Sequence, residues 1–172
     1  MTDAEADALL APAVPVGPAV WLDLGAGDGL LTRALARRLG GGEVVAIDQA
    51  GPGIPPVAEG AVIRPLAGDV RDLARLGGVP ERVDGALCAN VLHFVPEAGA
   101  VLAAVTRRLR AGGRVVVIEY DRGRGSRWVP HPISRVALGG LASAAGLGSV
   151  EVVGERASRF GGTLYAAVLR AG

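Results

Sequence analysis

Alternating glycines beside carboxylates at strand ends are the residues of this chain best suited to chemistry. The stretch WLDLGAGDG (residues 21–29) places Gly25, Gly27 and Gly29 between an apolar run, 20–24, and a helical pattern, 30–39. Strand, glycine turn and helix together bring backbone N–H groups and a helix N-terminus against a ligand. Glycine is required where a Cβ would block the tight turn or the close approach. The spacing is G-x-G-x-G, whereas a dinucleotide loop has G-x-G-x-x-G. No G-K-[S/T] follows, and the chain has no lysine. Asp23 and Asp28 lie before and inside the loop, where carboxylates repel a pyrophosphate and suit a ligand with a cationic group. A tight turn holding no ligand is the plainer alternative. Against it stands VVAID (44–48), a second buried strand ending in a carboxylate about 20 residues on. Asp48 there suits a ribose diol, accepting from both hydroxyls.

Three further segments follow in order: AGDVRD (67–72), VDGALCAN (83–90) and LRAGGRVVVIE (109–119). With the glycine loop and Asp48, the set resembles the class I S-adenosylmethionine-dependent methyltransferases across most of the chain. Each segment alone is weak; the ordered set is specific. The resemblance implies S-adenosylmethionine as cofactor. It also implies an α/β fold: a doubly wound, mostly parallel seven-stranded Rossmann-like sheet with an antiparallel last strand, in three layers. By resemblance Gly25, Gly27 and Gly29 hold the methionine part of the cofactor, Asp48 the ribose, and Asp69 with the Val70 backbone the adenine. Asp23, Ala26, Gln49, Gly68 and Asn90 complete the implied cofactor set.

Ligands of open α/β sheets sit beyond the C-terminal strand ends. The fourth strand ends in Asn90-Val-Leu-His93 and the fifth in Glu119-Tyr120, so these ends hold the candidate catalytic groups. A neutral His93 imidazole could take a proton from a hydroxyl or amine; equally it could cap the next helix or pack on the cofactor. Asn90 suits strand termination or cofactor binding better than catalysis. Glu119 and Tyr120 alternate faces, so one of them reaches the pocket. Tyr120 would close over the methyl, orient a substrate, or simply pack. The Gly- and Pro-rich connection 121–134 carries Arg122, Arg124, Arg127, Trp128 and His131. The arginines suit a substrate carboxylate or phosphate, or form a solvated basic loop. Trp128 would stack on a planar acceptor or anchor the loop. His131 reads as structural or as a second base. Methyl transfer asks chiefly for alignment and exclusion of water. No metal is expected, because no Cys/His cluster would hold one.

The elements that must position these groups alternate β and α in a single domain over residues 1–172, with a helix and a Pro-rich lead-in over 1–19. A capped helix is expected over 3–11 and an extended link through Pro12, Pro15 and Pro18. Strands are expected at 20–24, 44–48, 62–66, 83–89 and 114–120, with a late pair at 149–153 and 163–169. Helices are expected at 30–39, 71–76, 97–109 and 132–145, with Gly112-Gly113 ending the third. Residues 49–56 cannot form a regular helix.

Half of the residues are apolar but only 3% are aromatic, so the core should be aliphatic. A net charge of +1 gives no argument for a nucleic-acid or membrane surface. The lone Cys88 reads as a core thiol and suits a cytoplasmic setting. Compared with many small-molecule members of the resembling family, the chain has a short N-terminal segment and no large insertion. Its acceptor site would then be open, shaped for a bulky substrate, or completed by a second subunit in a homodimer. No Asn-Pro-Pro-Tyr-like signature follows the fourth strand, which speaks against methylation of adenine, glutamine or similar amino groups. The resemblance, with these features, implies methyl transfer to a small molecule on O, N or C. A non-catalytic protein binding S-adenosylmethionine or S-adenosylhomocysteine on the same fold is the alternative.

Overall fold

The β-branched and aliphatic runs form the strands of one sheet: β1 (Ala19–Leu24), β2 (Gly42–Asp48), β3 (Val62–Ala67), β4 (Val83–Ala89), β5 (Leu109–Asp121), β6 (Leu147–Ala157) and β7 (Thr163–Ala171). The computed structural model describes residues 1–51, 53–54, 60–158 and 162–171. The strand order is β3-β2-β1-β4-β5-β7-β6. Neighbours are parallel from β3 through β5, and β7 runs antiparallel between β5 and β6. This is the sheet the sequence leads one to expect. The central strands are buried on both faces, as parallel strands covered by helices require. Pro65, which cannot donate to a ladder, falls on the edge strand β3.

Helices α1 (Asp3–Leu10) and α2 (Leu30–Leu39) cover one face of the sheet; α3 (Ala98–Thr106) and α4 (Arg135–Ala144) cover the other. Thr2 and Glu5 form a reciprocal capping box at the start of α1. Ser134 caps α4. Gly40, at φ +64°, ends α2 in the left-handed conformation that disfavours any side chain.

Three local expectations differ from the structure. Residues 11–14 are not extended: the Ala13 and Val14 N–H groups both donate to the Leu10 carbonyl, and Arg38 reaches across to the Ala11 and Val14 carbonyls at 2.8 and 2.9 Å. The prolines tolerate this turn because they surrender donors the turn does not use. The helix expected at 71–76 is one 3-10 turn, Val70–Asp72, capped by the Asp69 side chain. The helix expected to run to residue 109 stops at Thr106, and Gly112-Gly113 lies inside β5 at a register shift against β4. There the Arg108 carbonyl accepts from Val83, and its guanidinium bonds the Leu73 and Pro80 carbonyls. These tertiary bonds override helical periodicity. In the expected loop 49–56, residues 52, 55 and 56 lie outside the described residues. No helix among the described residues is long and apolar enough to cross a membrane.

Candidate functional site

The strand order reverses between β1 and β4, and the glycine loop and Asn90 lie at their adjacent C-terminal ends. Such a switch point opens a crevice, because the connections leave in opposite directions. Val91 packs on the loop so closely that a Cβ on Gly25, at φ +75°, would fall 2.5 Å from Val91 Cγ2. The Gly25 and Ala26 N–H groups donate to the Ile47 carbonyl at 2.8 and 3.0 Å. The Gly27 N–H donates to Asp48 Oδ2 at 3.0 Å. The loop is thus stitched to the end of β2. Gly68 joins from β3 by donating to the Asp48 carbonyl at 3.0 Å. Gly29, at φ +77°, starts α2, and a Cβ there would meet Ile54 at 2.5 Å.

A cavity of about 420 Å³ lies over these strand ends, lined by Gly25, Asp48, Gln49, Asp69, Val70, Arg71, Val91, Phe94 and Val95. Its floor is bare backbone at Gly25, and Asp48 and Asp69 are its carboxylates. Asp69 accepts from Gln49 Nε2 at 2.7 Å, from the Arg71 N–H at 2.8 Å and from the Arg71 guanidinium. The Arg71 hydrogen bonds lower its carboxyl to about 2. It is therefore ionised at any ordinary pH.

The loop's other acids do not face this cavity. Asp23 is buried beneath the loop, where it accepts the Thr32 hydroxyl at 2.5 Å and so ties β1 to α2. Burial raises its carboxyl to about 6, and the Asp48 charge adds to the rise. Asp28 turns back to accept the Leu30 N–H at 3.1 Å. The sequence reading set these two acids against a cationic ligand; in the fold, alternation along β1 points Asp23 into the core, a local hydrogen bond holds Asp28, and neither lines this cavity. Ala26 is buried behind the loop, and Gln49 reaches the cavity wall.

A second cavity, about 440 Å³, adjoins the first beyond β4 and β5, lined by Asn90, His93, Phe94, Tyr120, Arg122, Ser126, Trp128 and Val129. Phe94 lines both cavities, so its ring stands between them. Asn90, at φ +53°, turns the chain out of β4, and its Oδ1 is buried without a hydrogen-bond partner. A buried acceptor left so is costly unless a ligand donates to it. His93 sits on a 3-10 turn, Leu92–Phe94, and is 2% exposed. Its Nδ1 lies 2.6 Å from Oε2 of Glu119, which is fully buried. A carboxylate only accepts, so Nδ1 carries the proton and Nε2 is the ring nitrogen left for a ligand.

The loop between β5 and α4 is pinned at both ends. Asp121 Oδ2 accepts from Arg135 Nε at 2.6 Å, and the His131 N–H donates to the His93 carbonyl at 3.0 Å. The fold therefore gathers His93, Tyr120, Asn90 and Trp128 around one cavity. It leaves Arg124, Arg127 and His131 exposed and off the wall; Arg127 lies over the Trp128 ring, 5.6 Å from its centroid. Phe94 was missed by sequence reasoning, and the pairing of Glu119 with His93 was not foreseen. The one signal for the latter is a carboxylate closing the apolar run VVVIE. Cys88 is buried in the core, and burial pushes its thiol up, which keeps it protonated. No cluster of metal-ligating side chains occurs among the described residues.

A glycine-floored crevice at the switch point, carboxylates on its β2 and β3 sides, and the sheet order with an antiparallel β7 define a Rossmann-like methyltransferase. The chain belongs to the methyltransferase domain family, whose model matches residues 22–117, and with it to the class I S-adenosylmethionine-dependent methyltransferases. It is 33% identical over 116 residues to a ubiquinone biosynthesis O-methyltransferase of Xylella fastidiosa, covering 63% of this chain and 45% of that one. It is 33% identical over 130 residues to the biotin biosynthesis bifunctional protein BioCD of Bordetella avium, covering 73% of this chain and 27% of that one. The chain thus spans less than half the length of either relative. Burkholderia thailandensis 1,6-didemethyltoxoflavin-N1-methyltransferase, solved with 1,6-didemethyltoxoflavin and S-adenosylhomocysteine, superposes with a TM-score of 0.69 at 25% identity, covering 98% of this chain and 77% of that one.

Proposed function

We propose that this chain methylates a hydroxyl group of a small-molecule acceptor held in the cavity beyond β4 and β5. The observation that carries the reading is His93 on the wall of that cavity, paired with the fully buried Glu119 and next to the cofactor crevice. S-adenosylmethionine supplies, when bound, a methyl group already activated on a sulfonium. Asp48 would accept from the ribose hydroxyls, Asp69 from the adenine amino group, and the Gly25 floor leaves room for the sulfur-bearing chain. Asn90 Oδ1 would gain its missing donor from the cofactor or the acceptor. His93 Nε2 takes the acceptor proton, and Glu119 stabilises the imidazolium formed. A neutral amine attacks through its free lone pair without a base, so the pair favours oxygen. Phe94 and Tyr120 flank the imidazole, with ring centroids at 4.2 and 5.7 Å, and shield it from water.

The test is calorimetric titration with S-adenosylmethionine and S-adenosylhomocysteine, then a methyl-transfer screen of phenols against matched anilines. Micromolar binding with turnover on phenols, lost in His93→Gln, is the expected result. Turnover on anilines alone would overturn the assignment to oxygen. Binding without turnover on any acceptor would favour a cofactor-binding protein.

A further inference from the structure

Arg122 brings to the second cavity a charge that methyl transfer itself does not use. It lies on the wall with Phe94, Tyr120 and Trp128, just past the end of β5. No ion pair engages its guanidinium among the described residues. The adjacent acid, Asp121, is committed to Arg135. A half-buried arginine beside aromatic surface, without a counter-ion, gains by pairing with an anion in the same cavity. Two rings stand ready for an apolar partner: Trp128 is 73% exposed and Phe94 is 58% exposed. Large aromatic faces left in water at a cavity mouth mark a binding surface. One guanidinium balances one charge, and its planar fork matches a carboxylate. Arg124 and Arg127 are not among the residues that line the cavity; Arg127 lies outside it, over the Trp128 ring at 5.6 Å from the centroid.

We infer that the acceptor is a planar hydroxyaryl carboxylate, with its ring against Phe94 and Trp128, its carboxylate on Arg122 and its hydroxyl toward His93. The inference rests on the reading of this cavity as the acceptor site but not on His93 acting as a base.

Binding, rather than turnover, separates the two. With saturating S-adenosylhomocysteine, 3,4-dihydroxybenzoate and 3,4-dihydroxybenzamide are titrated and followed by tryptophan emission. Trp128 is exposed and the other tryptophan, Trp21, is buried, so the response should come from Trp128 and vanish in Trp128→Phe. The acid should bind at least about tenfold more tightly than the amide. Arg122→Gln should erase that preference and Arg122→Lys restore part of it. Equal affinity for acid and amide, a preference that survives Arg122→Gln, or binding of neither would overturn the inference. Selective binding of the acid without its methylation would sustain this inference while removing the role given to His93.

Discussion

Glu119 grips His93 twice: its Oε2 lies 2.6 Å from Nδ1, and its Oε1 accepts the His93 backbone N–H at 3.3 Å. One carboxylate thus sets both the tautomer and the orientation of the imidazole. Glutamine in its place can donate to Nδ1, which moves the ring proton to Nε2 and removes the base. Glu119→Gln should therefore lose about as much kcat as His93→Gln, on the order of 10²- to 10⁴-fold, and the double variant little more. S-adenosylhomocysteine affinity, measured in parallel, should hold within a few-fold. Additive losses would show that the two side chains do not act as a unit.

Asp48 closes the glycine loop onto β2 and offers its remaining acceptor capacity to the crevice. Asp48→Ala should weaken S-adenosylhomocysteine binding by about tenfold or more, read by calorimetry. Asp48→Asn keeps one acceptor and should lose less. Unchanged affinity in both variants would put the ribose elsewhere.

Gly25 is constrained in two separable ways, by its positive φ and by Val91. Gly25→Ala should cost about 1–3 kcal/mol of stability and most cofactor affinity. Adding Val91→Ala relieves the clash but not the backbone strain, so the pair should recover part of the loss. Chemical denaturation of the three variants gives the coupling directly. No recovery would mean that backbone conformation alone demands the glycine.

Asp23 makes stability depend on pH in a direction unusual for a carboxylate. Burial raises its folded value to about 6, against the Thr32 hydrogen bond that lowers it. The folded chain keeps this proton between about pH 4 and 6, where the unfolded chain has lost it. The resulting stability is full below about pH 4 and disappears as the pH climbs through 6. Asn can still accept the Thr32 hydroxyl and carries no charge. Asp23→Asn should thus be more stable than the parent at pH 7.5, by on the order of 3 kcal/mol, and no more stable at pH 4. Urea unfolding at the two pH values decides it; an equal difference at both would mean that Asp23 is not the titrating group.

The sequence by itself determined the strands, most helices and the glycine turn that floors the first cavity, because those signals close over a few residues. Gly25 and Gly29 adopt positive φ in a tight turn, and Thr2 caps the helix that begins beside it. Asp48 ends an apolar run whose burial follows from its composition. The site's remaining features needed the tertiary structure. Asp23 stands beside the glycines in sequence, yet strand alternation turns it into the core. His93 and Glu119 are 26 positions apart and meet only because β4 and β5 pair in a register that sets Ala89 opposite Ile118. Among Arg122, Arg124 and Arg127, only the path of the pinned loop puts the first on the cavity wall and the others in solvent. Local sterics and hydrogen bonding are written in neighbouring residues; register, strand face and loop path are set by how the whole sheet packs.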